Sequence, residues 1–134
     1  FRRQPGHVID VMATVVDVSG AVYPQEFNGK AIRPMEGRSL VPAFADKPIA
    51  REAIYWEHEG NAAVRQGDLK LVRQGRDGPW ELYDLKVDRT ELHDLAQSQP
   101  EKAKELAALW KAWAERAQVL PAPGAGGKKK VKKK

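Results

Sequence analysis

The pattern of hydrophobic and polar residues changes twice along the chain. Between residues 7 and 19, apolar side chains recur every three or four positions, which predicts an amphipathic helix that Gly20 ends. The many β-branched residues of this segment also permit a strand. Residues 21–52 are rich in glycine and proline and predict a long connector. From residue 53, apolar and polar residues alternate, which is the period of a β-strand.

Four short runs of alternating residues follow between positions 53 and 85. The apolar positions that share a face within each run are, in chain order, Ile54 and Trp56, Ala62 and Val64, Leu69 and Leu71, and Trp80 and Leu82. Short consecutive strands joined by tight turns predict a four-stranded antiparallel meander, and such a sheet can leave one face in contact with water.

The clearest helical pattern lies between Ser98 and Pro121. Its apolar stripe is formed by Ala103, Leu106, Leu109, Trp110, Trp113 and Ala117. Ser98 and Glu101 predict a capping box at the start, and Pro121 and Pro123 are expected to end the helix. We expect this helix to cover the dry face of the meander. The predicted fold class is therefore α+β, a four-stranded antiparallel sheet packed by a long C-terminal helix, preceded by a helix and a long connector.

The basic character of the chain is concentrated in its last residues. Six of the last seven residues are lysines, and removing them from the 23 basic residues leaves 17 against 18 acidic ones. Residues 122–134 predict a disordered tail that would attract polyanions without specificity. The rest of the chain lacks the interleaved basic and aromatic residues of a specific nucleic-acid-binding surface.

Composition excludes several kinds of chemistry. The chain contains no cysteine, so it has no disulfide, thiolate metal site or cysteine nucleophile. No apolar run reaches about 18 residues, so no transmembrane helix is predicted. The chain opens on Phe1 and not on methionine, and we expect it to be a fragment of a longer protein.

The richest polar cluster extends from Glu57 to Asn61, at the end of the first predicted strand. One interpretation is a polar turn, because Gly60 and Asn61 both favour sharp turns. The other is a set of specificity contacts at the mouth of a substrate cleft, supplied by His58, Asn61 and Arg65, since loops held by a rigid sheet often carry such contacts.

Arg65 and Lys70 flank the next predicted hairpin turn. Cross-strand ion pairs with Glu57, Glu59 or Glu81 are the ordinary explanation for these cations, and such pairs contribute little at a surface. Anion binding is the alternative explanation.

Two further polar groups are candidate metal sites by residue type alone. His7 and Asp10 lie one turn apart in a helix, although a polar pair at a helix start is the commoner explanation. A second set contains Asp84, Asp88, Glu91 and Asp94. Its spacing departs from the twelve-residue calcium loop with a central glycine, so a capped turn is preferred. We therefore assign no catalytic residue and no metal ligand within the chain.

Five motifs resemble, in the same order, segments of one enzyme family. They are His7-Val8-Ile9-Asp10 with Thr14 and Gly20, Tyr23-Pro24 with Gly29 and Gly37-Arg38-Ser39-Leu40, Ala63 to Leu71, Leu82-Tyr83-Asp84-Leu85, and Asp88-Arg89-Thr90-Glu91 with Leu95-Ala96. Over residues 7–121 the chain resembles the C-terminal part of bacterial arylsulfatases, members of the alkaline-phosphatase-like superfamily. Ala13 and Arg89 replace prolines of the family pattern, Leu69 replaces tryptophan, and Asp94 replaces asparagine.

The resemblance implies that the full-length protein is a sulfuric ester hydrolase. In that family an upstream α/β domain supplies a formylglycine nucleophile, the calcium ligands and the groups that hold the sulfate. Neither those groups nor the Cys/Ser-x-Pro/Ala-x-Arg motif has a counterpart here. Residues 1–20 would then be the end of the catalytic domain, and residues 21–52 would be a connector. Residues 53–121 would form a C-terminal subdomain that closes one side of the active-site cleft. We expect the chain alone to be inactive, and the resemblance suggests a periplasmic or secreted protein.

Two alternative functions remain open. The far end of a related phosphonate or phosphodiester hydrolase would give a similar pattern. A free-standing module that binds polyanions through its lysine tail is the other, although the nearly neutral body of the chain counts against it.

Overall fold

A computed structural model of the chain describes residues 4–120, so the predicted tail at 122–134 lies outside the described residues. The chain divides after Arg51 into two units. The first unit contains one longer helix with short elements after it, and the second contains a sheet with a helix packed on it.

Helix α1 (Asp10–Ser19) forms in the segment where the sequence permitted either a helix or a strand. It begins three residues later than the hydrophobic pattern does, because His7 to Ile9 form a turn in which the Asp10 amide donates to the His7 carbonyl at 2.9 Å. Gly20 ends the helix with φ 68°, a left-handed conformation that glycine adopts without a steric penalty.

The segment predicted as a connector contains three short elements. Strands β1 (Glu26–Phe27) and β2 (Lys30–Ala31) pair in an antiparallel hairpin, and helix α2 spans Val41–Phe44. Asn28 at the turn of this hairpin has φ 51°, a conformation that asparagine tolerates better than most residues. Elements of two to four residues are too short to show a hydrophobic period, which is why the sequence pattern misses them.

The second unit contains the predicted four-stranded antiparallel meander, in the spatial order β3-β4-β5-β6. Its strands are β3 (Ile54–His58), β4 (Asn61–Gln66), β5 (Leu69–Arg73) and β6 (Trp80–Asp84). The register places Val64 opposite Leu71 and Leu71 opposite Leu82, so these three side chains form a row across one face. All three are fully buried.

Helix α3 (Pro100–Arg116) covers the face of the sheet that carries this row. The core that the two elements share consists of Ala62, Val64, Leu71, Leu82, Ala103, Leu106, Trp110 and Ala114. Strand β3 contributes Tyr55 to this face, and the Tyr55 ring stacks on Trp113 with 5.1 Å between centroids. Since side chains alternate along a strand, Ile54 and Trp56 lie on the opposite face. The α+β fold class predicted from the sequence is confirmed.

Both predicted ends of α3 are wrong in detail. The Ser98 hydroxyl donates to the Leu95 carbonyl at 3.1 Å and does not cap the helix, so Gln99 is an N-cap without a side-chain bond. At the other end the helix stops before Pro121, at a Schellman motif. There Gln118 has φ 60°, and the Val119 amide donates to the Ala114 carbonyl at 2.8 Å.

Replacing Trp110 by alanine is expected to destabilise the second unit by about 3–5 kcal/mol, because a large buried aromatic leaves a cavity. Trp113→Ala should cost less, since Trp113 is only partly buried. The measurement is urea unfolding followed by far-ultraviolet circular dichroism. Leu92→Ala is the control, because Leu92 is 74% exposed. Equal unfolding midpoints for wild type and Trp110→Ala would show that α3 does not hold the sheet.

Gln118→Gly is expected to stabilise the second unit by about 1 kcal/mol, because a residue with a Cβ is strained in the left-handed conformation and glycine is not. Gln99→Gly serves as the matched control, since Gln99 at the other end of the helix has φ −129°. A lower midpoint for Gln118→Gly in urea unfolding would contradict the Schellman geometry.

Candidate functional site

The turn between β3 and β4 brings two of the three predicted site residues together. Glu59 and Gly60 have φ 52° and 89°, the positive values of a two-residue type I′ turn. His58 and Asn61 are therefore paired neighbours on the same face of the sheet. The polar-turn interpretation of this cluster describes its local structure correctly.

Hydrogen bonds inside the turn fix Asn61 but leave the His58 ring at the surface. Asn61 Nδ2 donates to the His58 carbonyl at 3.0 Å, and Asn61 Oδ1 accepts the Gly75 amide at 2.9 Å. Glu57 Oε1 accepts the Gly60 amide at 2.9 Å. The asparagine therefore supports the hairpin, whereas the exposed imidazole is available for a ligand.

Arg65 lies four residues along β4 from Asn61, on the same face. At about 3.3 Å per residue, this spacing separates the two residues by about 13 Å. Arg65 pairs with Ile54, and its Nε donates to the Gly67 carbonyl at 2.9 Å. The structure thus brings His58 and Asn61 together and places Arg65 near the far end of the strand.

The expected cross-strand ion pairs of Arg65 and Lys70 with Glu57, Glu59 or Glu81 do not form. Arg65 and Lys70 are instead paired directly across β4 and β5. Lys70 Nζ lies 2.5 Å from Oε1 of Glu91, which is outside the strands. The sequence pattern misses this partner because Glu91 belongs to the loop after β6.

The acidic loop from Asp84 to Asp94 is held by backbone hydrogen bonds. Asp88 Oδ2 accepts the amides of Leu92 and His93, each at 2.8 Å. The bond from the His93 amide contributes most to lowering the pKa of the Asp88 carboxyl below its ordinary value. These bonds support the capped-turn interpretation of the loop.

Asp94 joins the acidic loop to strand β6. Asp94 Oδ1 accepts the amides of Leu82 at 2.9 Å and Ala96 at 2.8 Å. The side-chain oxygen of an asparagine can accept the same bonds, so aspartate can replace the asparagine of the family pattern at this position.

Between residues 4 and 120, no three histidine, aspartate or glutamate side chains converge as a metal site would require. The calcium ion that the family resemblance implies therefore has no fitting ligand set in this part of the chain. No helix among the described residues is long and apolar enough to cross a membrane.

The most deeply buried carboxylate lies in the first unit, at the start of α1. Asp10 is 0% exposed and accepts bonds from the His7 amide at 2.7 Å, the Arg38 amide at 2.9 Å and Arg51 Nη2 at 2.5 Å. Because all these donors come from the chain itself, Asp10 is a structural anchor and the metal interpretation of His7 and Asp10 is not supported.

Gly37 allows the connector to approach the start of α1 closely. A Cβ atom at this position would lie 2.1 Å from the Ile9 carbonyl oxygen, so only glycine fits. Nearby, the Thr14 hydroxyl donates to the Asp10 carbonyl at 2.7 Å and accepts the Leu40 amide at 3.0 Å. Residues that resemble two separate family motifs thus meet in one packed cluster.

Sequence comparison identifies relatives over most of the chain. An uncharacterised sulfatase of Schizosaccharomyces pombe is 29% identical over 123 residues, which cover 87% of this chain and 22% of the relative. The chain is similar in sequence to sulfatases over most of its length. The N-acetylglucosamine-6-O-sulfatase of Bacteroides thetaiotaomicron is also 29% identical, over 75% of this chain and 20% of the relative. No family model matches.

Structural comparison finds the same fold within larger solved proteins. The structure of BT4656 in complex with its substrate D-glucosamine-2-N,6-O-disulfate superposes with a TM-score of 0.62 at 23% identity, covering 87% of this chain and 25% of that chain. At this identity the likeness shows the fold alone. The chain spans about a fifth of the length of the curated sulfatases that it matches.

Asp10→Asn is expected to destabilise the first unit by about 3–5 kcal/mol at neutral pH, because it leaves the buried Arg51 charge without its partner. Burial alone would raise the pKa of Asp10, but the bonds from Arg51, Arg38 and His7 hold the pKa below its ordinary value of 3.8. A lowered folded-state pKa stabilises the protein above pH 3.8, and this contribution is lost as the pH falls through the folded-state pKa.

The stability difference between wild type and Asp10→Asn should therefore shrink as the pH falls below 3.8. The measurement is urea unfolding at several pH values, followed on the amide NMR signals of residues 10–19. Glu26→Gln removes an exposed carboxylate from the same unit and is the control. A difference that does not change with pH would show that Asp10 does not carry the charge in this pair.

Proposed function

We propose that the chain is the C-terminal subdomain of a sulfatase and that the full-length enzyme hydrolyses sulfate esters. The observation that carries this proposal is the match to the S. pombe sulfatase, which covers 87% of this chain but only 22% of the relative. A match with these proportions is expected when one part of a large enzyme is compared with the whole. The sulfatase relatives also favour a sulfate ester over the phosphonate and phosphodiester alternatives.

A sulfated saccharide is the substrate class that we propose for the full-length enzyme. One relative is named as an N-acetylglucosamine-6-O-sulfatase, and BT4656 was solved with a disulfated glucosamine as its substrate. These two relatives support a sulfated sugar as the substrate, in preference to the aryl sulfates after which the arylsulfatase family is named.

In this proposal the formylglycine nucleophile and the calcium ion belong to an upstream catalytic domain. The chain has no cysteine, and its described residues contain no cluster of metal ligands. The contribution of this chain is therefore to bind and position the substrate, and no bond-making step is assigned to its side chains.

His58 is the residue proposed to contact the substrate. It lies beside a type I′ turn that Asn61 and Glu57 hold by hydrogen bonds, so its position is set by a rigid hairpin. A neutral imidazole both donates and accepts a hydrogen bond, which suits the hydroxyl groups of a sugar. Arg65, about 13 Å along the strand, would reach a different part of an extended saccharide.

The purified 134-residue chain is expected to release no sulfate from glucosamine 6-sulfate, with or without added calcium, whereas the full-length protein does. The upstream reading frame should contain the Cys/Ser-x-Pro/Ala-x-Arg motif. Sulfate release is measured by ion chromatography. Turnover by the chain alone would contradict the assigned role, and an inactive full-length protein would contradict the proposed reaction.

Within the full-length enzyme, His58→Ala should raise KM about tenfold with little change in kcat, because it removes a contact made equally in the ground and transition states. Arg89→Ala is the matched control, since Arg89 is exposed on the loop after β6. An equal KM for His58→Ala and wild type would remove His58 from the substrate cleft.

A further inference from the structure

A pocket of about 420 Å³ opens on the face of the sheet that α3 covers, near the turn between β3 and β4. Its lining combines Trp80 and Trp110 with small and aliphatic side chains of α3 and of the segment that follows it. Pockets of about 300–1,000 Å³ with a mainly apolar lining and a few polar groups are typical of sites for small ligands. The three predicted site residues lie on the other face of the sheet, so they do not form this pocket.

The charged residues of the pocket are unbalanced. Arg73, Arg76 and Lys111 line it together with a single carboxylate, that of Glu57. Among residues 4–120, no carboxylate pairs with either arginine, and Lys111 Nζ lies 3.9 Å from Glu115 Oε1, a long surface contact that contributes little. Cations therefore outnumber carboxylates in the pocket lining by three to one.

Two tryptophan rings hold the Arg73 guanidinium at the pocket wall. Its guanidinium carbon lies 4.8 Å from the Trp80 ring centre and 5.3 Å from that of Trp110, so two aromatic faces fix it. Its Nε is buried and has no hydrogen-bond partner within the described part of the chain. A ligand in the open pocket would not reach this buried nitrogen, but an anion there would neutralise the charge of the guanidinium.

Glu57 limits which anion fits. One of its oxygens accepts the Gly60 amide at 2.9 Å, which fixes the carboxylate at the pocket wall. A carboxylate beside an anion site repels a simple inorganic anion but accepts hydrogen bonds from hydroxyl groups. Trp80, which is only partly buried, supplies an apolar aromatic surface for a ring.

We propose that this pocket binds an anionic saccharide unit, a sugar ring that bears a sulfate or a carboxylate. The anion contacts Arg73 and Arg76, the ring packs on Trp80, and a ring hydroxyl donates to Glu57. The site is a binding site and not a catalytic one. The proposal rests on the pocket of the second unit and not on the sulfatase reaction.

The test is an NMR titration of the nitrogen-15-labelled 134-residue chain with glucose 6-sulfate, glucuronate, glucose and sodium sulfate at constant ionic strength. The indole signals of Trp80 and Trp110 should shift and saturate with the two anionic sugars. The Trp56 indole is the internal reference, because Trp56 lies on the opposite face of the sheet. Glucose and sodium sulfate should bind at least about tenfold more weakly, the effect of one hydrogen bond to a charged group, since glucose lacks the anionic group and sulfate lacks the sugar ring.

Arg76→Gln should weaken binding of glucose 6-sulfate about tenfold, which is the size expected for losing a hydrogen bond to a charged group. Arg76 is chosen over Arg73 because it is exposed and does not pack between the tryptophans. Arg89→Gln removes the same charge from an exposed loop and should leave binding unchanged.

Several outcomes would overturn the proposal. They are saturation by glucose or sodium sulfate with equal affinity, equal weakening in Arg76→Gln and Arg89→Gln, and shifts confined to residues outside the pocket. Binding of only one anionic sugar would support the proposal and identify the anion. Because no turnover is measured, failure here leaves the proposed sulfatase reaction standing, and an inactive full-length enzyme leaves the pocket standing.

Discussion

The packing of Trp110 against the meander is the interaction on which the second unit depends. A four-stranded sheet with one apolar face needs a covering element, since otherwise Val64, Leu71 and Leu82 would be exposed to water. Trp110 makes this cover specific as well as apolar. Its indole ring meets Trp80 edge-on with 5.7 Å between centroids, and its Nε1 donates to the Trp56 carbonyl at 2.9 Å. One side chain thus fixes the position of α3 against β6 and β3, the two edge strands of the sheet.

The same contact joins the fold to the chemistry of this unit. The Trp110 ring that packs on the sheet also forms a wall of the cationic pocket and faces the guanidinium of Arg73. The turn between β3 and β4 presents His58 on one face and Glu57 on the other, because adjacent side chains of a strand alternate. This one hairpin therefore contributes side chains to both faces of the sheet, and its type I′ turn fixes the positions of both.

The sequence predicted the elements that have a clear period, and it did so because burial on one face imposes that period. The four strands and α3 follow directly from the spacing of residues such as Val64, Leu71 and Leu106. The helix ends were not predictable in the same way, since Ser98 bonds to Leu95 within the preceding turn and Gln118 adopts a conformation more typical of glycine. These details depend on local competition between hydrogen bonds, which residue type alone does not decide.

The candidate site was predictable only where its residues are close in sequence. His58 and Asn61 meet because a two-residue turn joins them, and alternation places them on one face. The partners of Asp10 could not be read from the pattern, because Arg38 and Arg51 are 28 and 41 residues away. The cationic pocket was missed for a similar reason, although two arginines three residues apart, close before a tryptophan, are a signal that was present in the sequence.

The way in which the β6 edge of the sheet is occupied bears on how this unit behaves at high concentration. An open edge strand offers amides and carbonyls to which a strand of another molecule can add, and this is a common route to aggregation. At β6, Asp94 accepts the Leu82 amide and the Leu95 amide donates to the Leu82 carbonyl. The loop that follows the last strand therefore also acts against self-association through this edge of the sheet.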